Sequence, residues 1–284
     1  MTGISEVRPV DPRSNWAQLS QAERDAAYDN NAAVKDSPAL IAERNAASEK
    51  LRSSLKSYLD LPYGERERTK IDIYPGADAG KPCLMFLHGG YWQRNSRDLF
   101  AMLVEGVAAH GWSVAIPGYS LAPEASLTRI VAEIFQALDW LAANGGSYGI
   151  SGPVVLSGWS AGAHLAAMAL GHPRVTAGLA ISGVFDLAPI RDTALNNALR
   201  LTDDEIATLS PLRQPVVDKR LDVAYGSNEL PALVLDSILL HEKRKSANAP
   251  GELFAIEGAD HFTILNELRR PGGRLVEIAR QLAG

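Results

Sequence analysis

The chain has 284 residues, 46% of them hydrophobic, and a formal net charge of −5. That composition supports a sizeable buried core and excludes global disorder, and the acidic balance argues against nucleic acid or an anionic membrane surface as the main partner. The single cysteine, Cys83, rules out an intramolecular disulfide and a cysteine-based metal site. It lies in an apolar run at 83–87 and reads as a buried strand residue rather than a reactive thiol. No apolar run approaches membrane-spanning length, and the first residues lack the apolar core of a signal peptide. The expectation is a soluble cytoplasmic protein with no membrane partner.

Residues 1–19 carry two prolines and little periodicity, and read as an extended arm. Two helical patterns follow, at 20–30 and 37–55. In the second, Leu40, Ala47, Leu51 and Leu55 recur at helical spacing, with Glu43, Arg44, Glu49 and Arg52 between them. Ser37-Pro38 makes a helix start with a first-turn proline. These helices are an addition to the core, and either pack on it or cap it. From Lys70 onward, strands alternate with helices. Strands are expected at 70–74, 83–87, 113–116, 154–157, 177–182, 221–225 and 252–256. Helices are expected at 99–110, 126–144, 161–170, 231–245 and 263–282, the last broken at Pro271-Gly272-Gly273. Residues 185–214 are longer than one crossover helix needs. A short helix with an acidic first turn starts there at Thr202, as a second cap element or as a plain surface excursion. The alternation implies an α/β fold, a mostly parallel central sheet with helices on both faces. Residues 1–60 would supply the helical additions and 61–284 the main body, as one domain overall.

The strongest chemical signal is the run Val154-Val155-Leu156-Ser157-Gly158-Trp159-Ser160-Ala161-Gly162-Ala163-His164. It places a G-x-S-x-G pentapeptide between a strand and a helix, the context of a nucleophile elbow. The glycines suit a sharp reversal in which backbone meets backbone. Three common residues recur by chance in about one chain of this length in ten, so the pattern needs partners elsewhere. A serine hydroxyl needs a base, the base an orienting acid, and the developing charge a pair of N–H donors.

Of six histidines, His164 lies one turn deeper on the elbow helix and faces away, His110 and His172 lie at helix ends, and His241 sits within a helix. His261 follows the last strand in a glycine-containing loop, at the sheet edge where ligands bind in open α/β folds. It is the candidate base. The acid should fall between Ser160 and His261 in sequence, and Glu229 is the one carboxylate in the loop after the preceding strand. Asp236 lies a helical turn or more further on, and Asp260 beside the base should point elsewhere. The oxyanion donors are expected from Ala161 and from Gly90 or Tyr91 in His88-Gly89-Gly90-Tyr91-Trp92. Tyr91, Trp92, Trp159 and Phe262 flank these positions and are expected to form aromatic walls, core packing being the equal alternative for Trp159. No arginine is placed by its position in the sequence against a substrate carboxylate.

Taken together, His88-Gly89-Gly90-Tyr91-Trp92, Tyr119-Ser120-Leu121-Ala122-Pro123-Glu124, Gly158-Trp159-Ser160-Ala161-Gly162-Ala163-His164 and Ser182-Gly183-Val184-Phe185-Asp186-Leu187 resemble the α/β-hydrolase superfamily. More narrowly, they are similar to the esterase/arylformamidase branch that includes kynurenine formamidases. The segments Tyr28-Asp29-Asn30-Asn31-Ala32-Ala33-Val34 and Leu209-Ser210-Pro211-Leu212 extend the likeness over nearly the whole chain, and add Tyr28 to the expected substrate-binding residues. By position, the resemblance implies Ser160 as nucleophile, Glu229 as acid and His261 as base, with no metal and no organic cofactor. One departure is local: Asn95-Ser96-Arg97-Asp98 stands where the formamidases are expected to carry Asp-Lys. The implied activity is hydrolysis of a small amide or ester through an acyl-enzyme, with N-formyl arylamines such as N-formylkynurenine as candidate substrates. The rivals are a carboxylesterase on short acyl esters and a non-catalytic small-molecule receptor on the same fold. A homodimer stays open.

Overall fold

Eight short segments supply the strands of one sheet: β1 (Tyr58–Pro62), β2 (Lys70–Tyr74), β3 (Cys83–Leu87), β4 (Ser113–Pro117), β5 (Val154–Trp159), β6 (Val175–Ile181), β7 (Leu221–Gly226) and β8 (Leu253–Ile256). The computed structural model describes Asp11 and residues 13–284; the arm expected at the N-terminus lies outside the described residues at 1–10 and 12. The strand order is β1-β2-β4-β3-β5-β6-β7-β8. β3 to β8 run parallel, whereas β2 is antiparallel to β4 and β1 antiparallel to β2. Every residue of β3, β4 and β5 is buried, as a central parallel sheet covered on both faces requires.

The helices are α1 (Gln21–Ala26), α2 (Asn30–Ala33), α3 (Ser37–Ser54), α4 (Val104–Ala108), α5 (Leu127–Asn144), α6 (Ala161–Ala169), α7 (Ala188–Arg191), α8 (Asn196–Leu199), α9 (Asp203–Leu209), α10 (Pro231–Ser246), α11 (Asn266–Arg269) and α12 (Arg274–Ala283). Two hydrophobic cores lie on opposite faces of the sheet. One takes in Ile130 and Ile134 of α5, Leu165 of α6 and Leu233 of α10. The other takes in Val107 of α4 and Leu275, Ile278 and Ala279 of α12.

The structure departs from the sequence pattern in four places. β1 was not expected: Tyr58-Leu59-Asp60-Leu61-Pro62 is a half-exposed edge strand, and little but its pairing with β2 marks it as one. The pattern at 20–30 divides into α1 and α2, because Asp29 caps a new helix by accepting from Ala32 N. The pattern at 99–110 becomes a 3-10 segment, Arg97–Leu103, followed by the short α4. The excess at 185–214 holds three short helices, α7 to α9; Thr202 and Glu205 form a capping box at the start of the last.

α3 is rotated relative to the stripe its hydrophobic residues trace. Its buried face is Ser37, Arg44, Ser48 and Leu51, while Leu55 is exposed. The small Ser48 allows the helix to lie close on the 3-10 segment, where its hydroxyl donates to Leu99 O at 2.9 Å and accepts from Met102 N at 3.2 Å. Asp72 of β2, fully buried, accepts from Arg52 of α3 at 3.1 Å and from Arg97 at 3.0 Å. A buried carboxylate needs such partners, and here they fasten α3 to the sheet.

Two glycines set how tightly the turn after β5 can close. A side chain on Gly158 would meet Gly162 O at 2.1 Å, and one on Gly162 would meet Leu87 O at 2.0 Å. Both obstacles are backbone and cannot swing aside. In a helix, Gly162→Ala should gain about 1 kcal/mol of propensity, but forcing a methyl against β3 costs roughly 1–3 kcal/mol or more. A net loss is expected, read as a lower urea midpoint; an equal or higher midpoint would show that the approach of β3 to α6 is not tight.

Candidate active site

The C-terminal ends of the parallel strands converge on one cleft of about 450 Å³, lined among others by Tyr28, Asn30, Arg44, Gly90, Tyr91, Trp159, Ser160, His261 and Phe262. Ser160 follows β5 directly. Its backbone sits at φ 58°, ψ −121°, a conformation that L-residues hold only under constraint. The constraint is visible. Ser160 N donates to Ile181 O of β6 at 2.8 Å, and Ser160 O accepts from Ala163 N at 2.9 Å. Ala161 is the first residue of α6, where a backbone N–H has no partner within the helix.

His261 lies in the loop after β8. Its Nδ1 is 3.0 Å from Glu229 Oε2, and both side chains are buried. A carboxylate only accepts, so Nδ1 carries the proton and Nε2 is left as the acceptor of the neutral ring. Glu229, after β7, is held in turn. Its Oε1 accepts from Gly226 N at 2.8 Å and from the Ser182 hydroxyl at the end of β6. Trp159 Nε1 donates to His261 O at 2.8 Å, and its ring lies 4.8 Å from the imidazole, which fixes the loop from below. Four adjacent strands, β5 to β8, therefore each end in one member of this cluster: Ser160, Ser182, Glu229 and His261.

The loop after β3 lies against the serine. A side chain on Gly89 would meet Ser160 Cβ at 2.9 Å. Gly90, Tyr91, Trp92 and Asn95 all have positive φ, so the loop is tightly wound. Asn95 Nδ2 closes it by donating to Gly89 O at 3.0 Å. Tyr91 and Tyr28 line the cleft, as do Trp159 and Phe262. Trp92 does not. It is fully buried on the other side of the loop, edge-on to His164 at 5.0 Å between ring centroids, because the positive-φ turn at Tyr91 and Trp92 sends their side chains different ways. The expectation that Trp92 forms a wall is corrected accordingly.

The roof comes from α1 and α2. Tyr91 OH donates to Tyr28 O at 2.7 Å and accepts from Asn30 Nδ2 at 3.1 Å. That pairing leaves Asn30 Oδ1, which is buried, with no partner. Asp25 accepts from Ala194 N at 2.7 Å and Trp16 Nε1 donates to Asp192 at 2.9 Å, so the segment before α8 is tied to the same roof. Asp236 is away from the imidazole. It accepts from Arg13, Phe185 N and Asp186 N, and burial raises it to about 6. Asp260 accepts from Phe262 N and Thr263 N and shapes its own loop. Ser182, Asn30, Arg44 and Asn95 were not singled out by sequence. Ser182 and Asn30 stood inside runs that carry the family resemblance and Asn95 in the segment that departs from it, none of them with a role assigned; Arg44 carries no local signal of a role. Among the described residues, no group of three or more His, Cys, Asp or Glu gathers as metal ligands, and no helix is long and apolar enough to cross a membrane.

Comparison with known proteins agrees with this fold. A family model described as BD-FAE matches residues 71–177. A kynurenine formamidase of Danio rerio is 27% identical over 95% of this chain and 99% of its own length. One from Salmo salar is 28% identical over 84% of this chain and 85% of its own. A solved structure from Silicibacter, provisionally assigned as a thioesterase, is 30% identical, covers 90% of this chain and 98% of its own, and superposes with a TM-score of 0.80.

His88, His110, His164 and His172 hydrogen-bond within the fold. His110 Nε2 lies 2.8 Å from Pro271 O, and His172 Nε2 lies 3.0 Å from Asp139. His164 is fully buried, with Nε2 donating to Leu209 O at 2.7 Å. Burial pulls His164 down to about 4 and His88 to about 3. An imidazole that resists protonation when folded makes the folded state bind fewer protons than the unfolded one. Its contribution to stability is complete above the unfolded value near 6.5 and is lost as pH falls toward 4. Asp236 acts oppositely, since its raised value adds stability as pH falls through 6. Comparing His164→Gln with the parent isolates the first effect. The variant's stability should fall less steeply between pH 6.5 and 4, by up to about 1.4 kcal/mol per pH unit. Urea titrations across that range check it, and parallel slopes would mean that His164 is not held neutral.

Proposed function

Since the chain belongs to the esterase/arylformamidase branch of the α/β-hydrolase superfamily, we propose that it is a serine hydrolase that cleaves N-formyl arylamines through a formyl-enzyme. That it is a hydrolase of the arylformamidase or esterase kind follows from its relatives; the nucleophile, the route and the substrate are our reading. The observation that carries it is the buried His261–Glu229 pair at 3.0 Å, facing the same cleft as a serine held at φ 58°.

Each step has a residue suited to it. Ser160 Oγ attacks the formyl carbon while its proton passes to His261 Nε2. Glu229, accepting from Nδ1–H, keeps the imidazole in the useful tautomer and offsets the imidazolium charge as it forms. Ser182 and Gly226 N hold Glu229 oriented by donating to it. The new oxyanion is met by the N–H of Ala161 and by that of Gly90 or Tyr91. His261 then returns the proton to the leaving nitrogen, the C–N bond breaks, and formyl-Ser160 remains. Water, deprotonated by His261, releases formate and restores the serine. Gly89 lets the loop after β3 lie directly against Ser160, since any side chain there would meet Ser160 Cβ at 2.9 Å. The arylamine lies among Tyr28, Tyr91, Trp159 and Phe262, flat faces suited to an aromatic ring. The helices α1 to α3 cover this leaving-group region. A carboxylesterase on short acyl esters is the second reading. It is favoured by Asn95-Ser96-Arg97-Asp98, where formamidases are expected to carry Asp-Lys.

A fluorophosphonate probe should label Ser160 in the native protein and fail to label His261→Ala; labelling that persists without His261 means another base. Glu229→Gln should lower kcat about a thousandfold or more with a smaller change in KM, because it disturbs the tautomer rather than binding. Steady-state hydrolysis of N-formylkynurenine, compared with p-nitrophenyl acetate, decides between the two substrate readings. Rapid ester cleavage with no cleavage of the formamide would make the enzyme a carboxylesterase.

A further inference from the structure

Arg44 is the least explained charge in the protein. It sits on α3, only 6% exposed, and lines the cleft that holds Ser160 and His261. Its hydrogen bonds go to neutral amides alone: Nε and Nη2 to Asn45 Oδ1 at 3.1 and 2.9 Å, and Nη2 to Asn95 Oδ1 at 3.4 Å. Its guanidinium carbon lies 4.5 Å from the centre of the Phe100 ring. Among the described residues, no carboxylate forms an ion pair with it, and Nη1 makes no hydrogen bond. The partly buried Arg13 and Arg52 are paired with Asp236 and Asp72, and the other buried arginine, Arg244, donates to the backbone carbonyls of Val217, Lys219 and Pro250 outside the cleft. Burial alone pulls Arg44 down to about 10, which still leaves it a cation at neutral pH. A desolvated cation without an anion is costly, and such a group in a cleft is a sign that a ligand completes it.

The position is close to the reacting atoms. Asn95 bonds Arg44 through its oxygen and Gly89 O through its nitrogen, and Gly89 lies against Ser160. Two hydrogen bonds, through Asn95 and Gly89, thus link the guanidinium to the backbone beside the serine. Arg94 adds a second, exposed cation at the same cleft, again without an ion pair among the described residues. The two carboxylates that line the cleft are engaged elsewhere: Asp25 with Gln21 and Ala194 N, and Asp29 at the start of α2.

We propose that Arg44, assisted by Arg94, recognises a carboxylate on the leaving group, so that the enzyme selects anionic arylamides over neutral ones. A guanidinium presents paired N–H donors that match a carboxylate's two oxygens, and a formyl group offers no room for that charge on the acyl side. For its placement on the leaving group the proposal rests on the hydrolase reading above, but the binding test does not require turnover.

The test uses full-length Ser160→Ala protein, which cannot turn over. Calorimetry compares formanilides carrying an ortho or meta ring carboxylate with their neutral carboxamide counterparts. The carboxylates should bind roughly 10–100-fold more tightly, and added salt should narrow the gap. Adding Arg44→Gln should remove most of that preference, Arg44→Lys should retain part of it, and Arg94→Gln should reduce it less. A parent that binds both series equally overturns the proposal without recourse to any variant. A preference that survives in folded Arg44→Gln also overturns it. If the wild-type protein hydrolyses no formamide yet the carboxylate preference depends on Arg44, the catalytic reading falls and the anion site stands. Turnover without charge preference is the reverse.

Discussion

The backbone of Ser160 is the constraint on which the rest depends. At φ 58° it is held by a hydrogen bond to β6 on one side and by α6 on the other. The turn can be this sharp only because Gly158 and Gly162 let three backbone segments touch. Strain of this kind persists where the surroundings over-determine it. Here the surroundings are the centre of the sheet, where β3, β4 and β5 are buried throughout. The turn brings Ser160 into the cleft at the strand ends, directly before the first residue of α6.

The same sheet edge orders the polar groups. His261, Glu229 and Ser182 follow β8, β7 and β6, neighbours in space although separated by up to 79 positions in the chain. Each buried polar atom is satisfied by the next: a hydroxyl and a backbone N–H on one carboxylate oxygen, an imidazole N–H on the other. A network with all its members paired is rigid. The one imidazole nitrogen outside these bonds, Nε2, is the atom that a proton-transfer role requires.

The N-terminal segment has a different character. α1 and α2 close over the cleft through the Tyr91, Tyr28 and Asn30 contacts, and α3 is fastened by Asp72 and Ser48. This segment brings polar groups that are left incomplete, namely Asn30 Oδ1 and the guanidinium of Arg44. The network around Glu229 is internally complete and the roof is not. That division matches a site in which the chemistry is common to a family and the choice of substrate is local.

Much of this was legible in the sequence. The alternation from Lys70 onward marks the parallel strands, because buried strands must be continuous apolar runs bounded by turns. The elbow, the glycine pair after β3 and the order of Ser160, Glu229 and His261 are local patterns tied to one topology, and the structure brings these residues to one sheet edge. What depended on pairing in space was not legible. β1 is a strand by virtue of β2. Trp92 turns inward because Tyr91 and Trp92 share a positive-φ turn, and Ser182 gains its partner from a neighbouring strand. Arg44 reads as a solvated charge between hydrophobic positions on a helix. It became a cleft residue because Ser48 and Arg52 seat α3 on its polar side, against a 3-10 segment. Sequence periodicity shows which residues share a helix face. Which face is buried is decided by the surface it meets, and that surface exists only once the chain has folded.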